Sequence, residues 1–294
     1  MLAVALTAIA IAIPVGAITN GGEPDAGEHP YVGLSVYFFD HDGDPKTPLA
    51  VSHRCSGTLI SKTVYVTAGH CTFGMDVAML WFAGDVQTNQ GSNGFPDFSN
   101  LPDDFFFDAW GNRGDTVTGT PHTFPLYNDA AFFLNDLGVV VLDKAVTSAG
   151  LYDGTAGYAA LPADGQFDGL EVGRHTTFTS VGYGLQRSTA AFSVADKIRL
   201  KAHPWLVQIN VPGFSGDFSF LLSNNSATGG TCFGDSGGPN FIGDTTTIAG
   251  ITSYGLNGSC GGTGGVWRLD RQDAIDFITS FTTGGKGKGK GKSK

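Results

Sequence analysis

Short apolar or alternating runs recur along the chain between turn signals. Tyr31–Phe39, Cys55–Ile60, Val64–Thr67, Ala78–Ala83, Leu137–Leu142, Thr176–Val181, Thr247–Ser253 and Gly265–Leu269 are rich in Val, Ile, Thr, Tyr or Phe, with Gly, Asp, Asn or Pro at their ends. That rhythm predicts an all-β sandwich or barrel. One helix is predicted, at the end of the body. Asp270 is a capping residue with Asp273 three positions on, Ala274, Ile275, Ile278 and Phe281 follow at helical spacing, and Gly284-Gly285 stops the run. The stretch 84–128 reads as extended surface loops with one or two strands, and the tail 284–294 as a disordered, solubilising Gly/Lys segment.

Residues 1–17 are almost entirely apolar, shorter than the roughly 20 residues of a membrane span, and end in Val15-Gly16-Ala17, a small-residue cleavage pattern. They are expected to be a cleaved signal peptide, although no basic segment precedes them. The mature protein is then secreted, with no membrane attachment.

Composition narrows the picture. The 294 residues suit one large or two modest domains, and 22 Phe, 8 Tyr and 4 Trp exclude global disorder. The 44 glycines follow no three-residue period, which excludes collagen. Net charge is −10, but five of the 17 basic residues are tail lysines; residues 1–285 carry 12 basic groups against 27 acidic, a net of −15. Such a body repels nucleic acid and anionic membrane. The four cysteines, Cys55, Cys71, Cys232 and Cys260, allow three pairings; the local pairs 55–71 and 232–260 are the simplest. Each would contribute about 3 kcal/mol in the chain-entropy model. Zinc competes weakly, since CxxC and HExxH are both absent, and no acidic run has EF-hand spacing. No cofactor or metal is expected.

The chemistry concentrates in Gly234-Asp235-Ser236-Gly237-Gly238-Pro239, where a Ser between glycines can expose its hydroxyl beside free backbone N–H groups. An α/β-hydrolase elbow needs a His after the Ser, and all seven histidines precede Ser236. A general base must come from upstream. His70, in Thr67-Ala68-Gly69-His70-Cys71, ends a strand-like run where a disulfide through Cys71 would hold its backbone. Asp136 leads straight into the apolar run Leu137–Leu142, where a carboxylate is costly unless hydrogen-bonded, as an orienting acid would be.

These three segments resemble the motifs of chymotrypsin/trypsin-type serine proteases: Thr67–Cys71 the His motif, Asn135-Asp136-Leu137 the Asp motif, and Gly234–Pro239 the Ser motif unchanged. The resemblance spans about residues 18–282. It implies two six-stranded antiparallel Greek-key β-barrels with a C-terminal helix, the first barrel at about 30–145, the second at about 155–268 and the helix at about 270–282, within a domain 18–283. It implies catalysis by His70, Asp136 and Ser236, an oxyanion hole from the N–H groups of Gly234 and Ser236, and a substrate pocket formed by Gly230, Thr231, Ser253, Gly255 and Gly265. It further implies an activation pair, in which a new N-terminus at Ile18 joins Asp235. The expected protein is a monomeric secreted endopeptidase acting on proteins or peptides. With no acid at position 230, it should prefer large apolar or aromatic side chains before the scissile bond. The alternative is a catalytically silent binding protein on the same fold. Three departures stand out: Gly69 in the His motif, a Phe-rich insertion at 92–110, and Gly264 where the family often has Pro.

Overall fold

The structure is a computed structural model, and it describes residues 18–44, 46–86, 116–147, 157–214 and 216–282. The expected signal peptide, the 92–110 insertion and the Gly/Lys tail lie outside the described residues. Strand β1 (Glu23–Pro24) is followed by β2 (Val32–Phe39), β3 (Ala50–Leu59), β4 (Val64–Thr67), a one-turn helix α1 (Gly69–Thr72), β5 (Val77–Trp81), β6 (Val117–Thr123) and β7 (Gly138–Leu142). Strands β2 to β7 close into an antiparallel barrel in the order β2-β3-β4-β7-β6-β5. Closure buries Leu34, Val64, Val66, Met79 and Val139 completely or nearly so.

The second half holds β8 (Gly173–Gly182), a small hairpin of β9 (Arg187–Ser188) and β10 (Ser193–Val194), and then β11 (Leu200–Ala202), β12 (Trp205–Val211), β13 (Gly216–Asn224), β14 (Pro239–Ile242), β15 (Ile248–Gly255) and β16 (Gly262–Arg268). The order β8-β12-β13-β16-β15-β14 closes through a β8–β14 pairing, while β11 and β1 extend the β8 edge. The fold is thus the expected pair of six-stranded antiparallel barrels. Phe178, Leu206, Phe220, Ala249 and Val266 fill the second core.

Helix α2 (Gln272–Ser280) closes the chain; Ala274 and Ile278 are buried, and Phe277 stacks edge-on to Phe124 of the first half at 5.3 Å. Its cap differs from expectation, because Arg271 stands at the N-cap. Asp270 is engaged elsewhere: its carboxylate accepts both Nε (2.9 Å) and Nη2 (2.7 Å) of buried Arg268, and the Phe167 N–H at 2.7 Å. A buried guanidinium needs that bidentate partner more than the helix needs a cap. Both local disulfides form, Cys55–Cys71 and Cys232–Cys260.

Candidate active site

His70 and Asp136 come from the first barrel. Strand β4 delivers the chain into α1, and the Cys55–Cys71 bridge ties that turn to β3. Asn135 adopts a left-handed φ of 54°, which Asn tolerates, and the chain turns so that the next side chain points inward. Asp136 is fully buried, as an orienting acid must be if its charge is to act at short range. Its Oδ1 accepts the His70 backbone N–H at 2.8 Å; its Oδ2 accepts the Ser253 hydroxyl at 2.5 Å and lies 2.8 Å from His70 Nδ1. A carboxylate only accepts, so Nδ1 carries the hydrogen and Nε2 keeps its lone pair toward the cleft. Burial disfavours the imidazolium, but the adjacent Asp136 carboxylate outweighs it and the His70 pKa is raised.

Ser236 comes from the second half. The Gly237 N–H donates to Thr252 O (2.7 Å) and the Thr252 N–H to Gly238 O (2.9 Å), stitching the serine loop to β15. Gly237 has φ +76°, and a Cβ there would lie 2.1 Å from Thr67 Oγ1 and 2.6 Å from Ala68 N. Only glycine lets the end of β4 approach the serine this closely. Ser236 and His70 consequently line one cleft of about 240 Å³, together with Phe132, Thr231, Tyr254 and Gly255.

The backbone around Ser236 is fixed carbonyl by carbonyl. Phe233 O accepts the Leu185 N–H (2.9 Å) and Asp235 O accepts the Gly238 N–H (2.8 Å). In a trans peptide the N–H points opposite to the C=O, so the Gly234 and Ser236 amides are directed away from these anchors. Among the described residues neither amide has an acceptor. Gly234 has φ +93°, a conformation open to glycine.

Asp235 points into the protein and is fully buried, accepting the N–H groups of Gly184 (2.7 Å) and Cys232 (2.9 Å). Burial pushes its pKa up to about 7, against those two hydrogen bonds and the nearby Arg54 charge. Ile18 is fully buried, and Thr19 O accepts the Gly230 N–H at 3.1 Å.

The residues expected to form the pocket divide. Thr231, Ser253 and Gly255 line the cleft, with the Cys232–Cys260 bridge beside them. Gly230 does not: the space a side chain would take is filled by Asn224, whose Cγ would lie 2.3 Å from a Cβ there. Asn224 donates to Thr231 O (2.9 Å) and accepts from Asn20 (2.9 Å). Gly265 faces the Tyr254 ring, within 2.4 Å of where a Cβ would sit, whereas its neighbour Gly264 faces Thr231 Oγ1. Adjacent strand residues point to opposite faces, so Gly264 faces Thr231 and Gly265 faces the Tyr254 ring.

Two features escaped the sequence reading. An aromatic wall runs from the His70 ring through Phe132 (6.1 Å) and Phe133 to Phe214, which stacks on Phe133 at 4.6 Å and meets Tyr254 at 5.4 Å. The pair Phe132-Phe133, three residues before Asp136, was its only sequence signal. The other is Ser56, whose backbone and side chain both bond to the serine loop. His53, Cys55 and Cys71 gather possible metal donor atoms within 4.8 Å, but both sulfurs are spent in a disulfide. No helix among the described residues is long and apolar enough to cross a membrane.

Two closed barrels with an Asp–His pair on one and a loop serine on the other define a protein of the trypsin-like serine protease fold. The Trypsin family model matches residues 18–270, and the chain belongs to that family. Among solved structures it is similar to HL collagenase, with TM-score 0.63 and 18% identity over 90% of this chain and 98% of that one. It is also similar to a mutant of human heparin binding protein (TM-score 0.60, 19% identity, 93% and 99% covered) and to human heparin binding protein itself (0.58, 18%, 90% and 97%). Comparison with curated protein sequences gives no match.

Proposed function

We propose that this protein is a secreted, monomeric serine endopeptidase. The observation that carries the reading is the Asp136–His70 pair, bonded at 2.8 Å, sharing one cleft with Ser236 beside two unengaged loop amides. Ser236 Oγ attacks the scissile carbonyl carbon as His70 Nε2 takes its proton. The carbonyl oxygen becomes an oxyanion held by the Gly234 and Ser236 N–H groups. His70 then gives the proton to the leaving amine, and water, deprotonated by the same nitrogen, releases the acyl group from Ser236. Asp136 keeps the productive tautomer and offsets the imidazolium charge. Two intact disulfides fit an oxidising, extracellular setting.

The substrate is a protein or peptide chain. Among the described residues, no carboxylate lines the cleft, so a buried Lys or Arg side chain would find no counter-charge there. Apolar or aromatic residues before the scissile bond fit this slot. Ile18 is the first residue of the mature chain, its ammonium the partner of Asp235, so that signal cleavage and activation are one event.

A sulfonyl fluoride reagent tests the reading. Stoichiometric labelling of Ser236, with hydrolysis abolished in Ser236→Ala, supports it. Absence of labelling in folded, mature protein sinks it and favours a silent binding protein.

A further inference from the structure

One buried hydroxyl touches the serine loop without belonging to the triad. Ser56, on β3 of the first barrel, is fully buried. Its backbone N–H donates to Ser236 O at 2.8 Å. Its hydroxyl donates to Gly234 O at 2.9 Å and accepts the Tyr183 N–H at 3.0 Å. A hydroxyl has one hydrogen to give; because Tyr183 N–H occupies the oxygen from one side, that hydrogen is committed to Gly234 O.

The Tyr183 end of this chain is anchored on both sides. Its phenol donates to Ala83 O at 2.8 Å and receives Arg199 Nη1 at 3.2 Å, and Arg199 is held in turn by Asp25 at 2.8 Å. All three side chains are buried. The next residue, Gly184, gives its N–H to Asp235. Ser56 therefore spans three distant segments and grips the loop carbonyls on both sides of Asp235, Gly234 O through its side chain and Ser236 O through its backbone.

We propose that Ser56 is a positioning residue for the oxyanion hole. Gly234 has a left-handed φ and no side chain to restrain it. The Leu185 bond orients the peptide before it, and the Ser56 hydroxyl orients the peptide after it. Together they hold the Gly234 N–H where an oxyanion will form. The chain in which Tyr183 N–H donates to Ser56 Oγ and Ser56 O–H donates to Gly234 O also polarises along its length. Without the hydroxyl, the peptide after Gly234 is left with the Asp235 N–H bond to Cys232 O at 3.0 Å, and a displacement of about 1 Å at the Gly234 donor is enough to slow the chemical step severely.

This inference rests on the peptidase reading above, and the test separates the two. Wild type, Ser56→Ala and Ser56→Thr are compared on one peptide substrate, with rates normalised to sites titrated by a sulfonyl fluoride. Two matched ligands are added: a peptidyl trifluoromethyl ketone, whose adduct with Ser236 carries an oxyanion, and the corresponding peptidyl alcohol, which carries none. Ser56→Ala should lower kcat at least tenfold with KM nearly unchanged. It should weaken the ketone at least tenfold and leave the alcohol untouched. Ser56→Thr, which keeps the hydroxyl, should stay within threefold of wild type. Should Ser56→Ala fail to fold, Ser56→Cys takes its place, filling the same space with a much weaker donor. A kcat within twofold of wild type, or equal weakening of both ligands, overturns the role of Ser56 while leaving the peptidase reading intact. A wild type that neither cleaves peptide nor forms the ketone adduct overturns both.

Discussion

Asp235 allows a quantitative test of activation at Ile18. With the chain continuing before Ile18, the carboxylate is fully buried, accepts two backbone N–H groups, and has a pKa of about 7 against an ordinary 3.8. The folded pKa is raised, so the folded state holds the proton more tightly than the unfolded state does. Stability is then greatest below pH 4 and falls as pH rises to about 7, where the folded protein must bury a charge that two backbone N–H groups and the nearby Arg54 only partly offset. A difference of about 3 units at 1.36 kcal/mol each makes the loss about 4 kcal/mol. Under the proposed pairing, the ammonium of a chain beginning at Ile18 would neutralise the carboxylate, which would then ionise without that loss. The perturbation is therefore one residue: mature protein against the same protein with a single Ala ahead of Ile18. Their melting temperatures should nearly coincide at pH 4 and separate through pH 7. At 2–4 °C per kcal/mol for a domain of this size, the gap reaches about 10 °C. It should close again at high pH as the α-amino group, near pH 8 in model peptides and raised by its partner, loses its proton. Asp235→Asn should abolish the gap at every pH. Scanning calorimetry across pH 4–10 measures it, and a gap that does not vary with pH would refute the pairing.

Two further outcomes follow from the site. Asp136→Asn leaves an amide able to donate to His70 Nδ1 and so favours the wrong tautomer; kcat should fall on the order of 10⁴-fold with the fold retained, as circular dichroism and single-turnover kinetics would show. In matched peptides, cleavage after Phe should exceed cleavage after Arg, because no carboxylate lines the cleft among the described residues; faster turnover of the Arg peptide would mean that an acid reaches the slot from another loop.

The architecture was legible where strands are apolar and regular. The predicted runs at Val64–Thr67 and Leu137–Leu142 correspond to β4 and β7, whose side chains are mostly buried. Strands β12 and β13 were not recognised. Their pairing carries register shifts between Leu206 and Gln208 and between Ile209 and Val211, which break the two-residue alternation on which recognition depends. The motif around Ser236 was legible for a different reason: its constraint is local. Gly237 must be glycine because the end of β4 occupies its side-chain space, and Gly234 because of its left-handed φ, so the need is written in the residues themselves. Pocket residues were harder, since which face a strand position presents depends on register: Gly264 faces Thr231 while Gly265 faces the Tyr254 ring. Ser56 was beyond reach altogether. Nothing in Cys55-Ser56-Gly57 marks the hydroxyl, whose partners lie 127 and 178 residues away. A residue that binds chemistry to scaffold through contacts so distant in sequence becomes visible only when the two barrels close against each other.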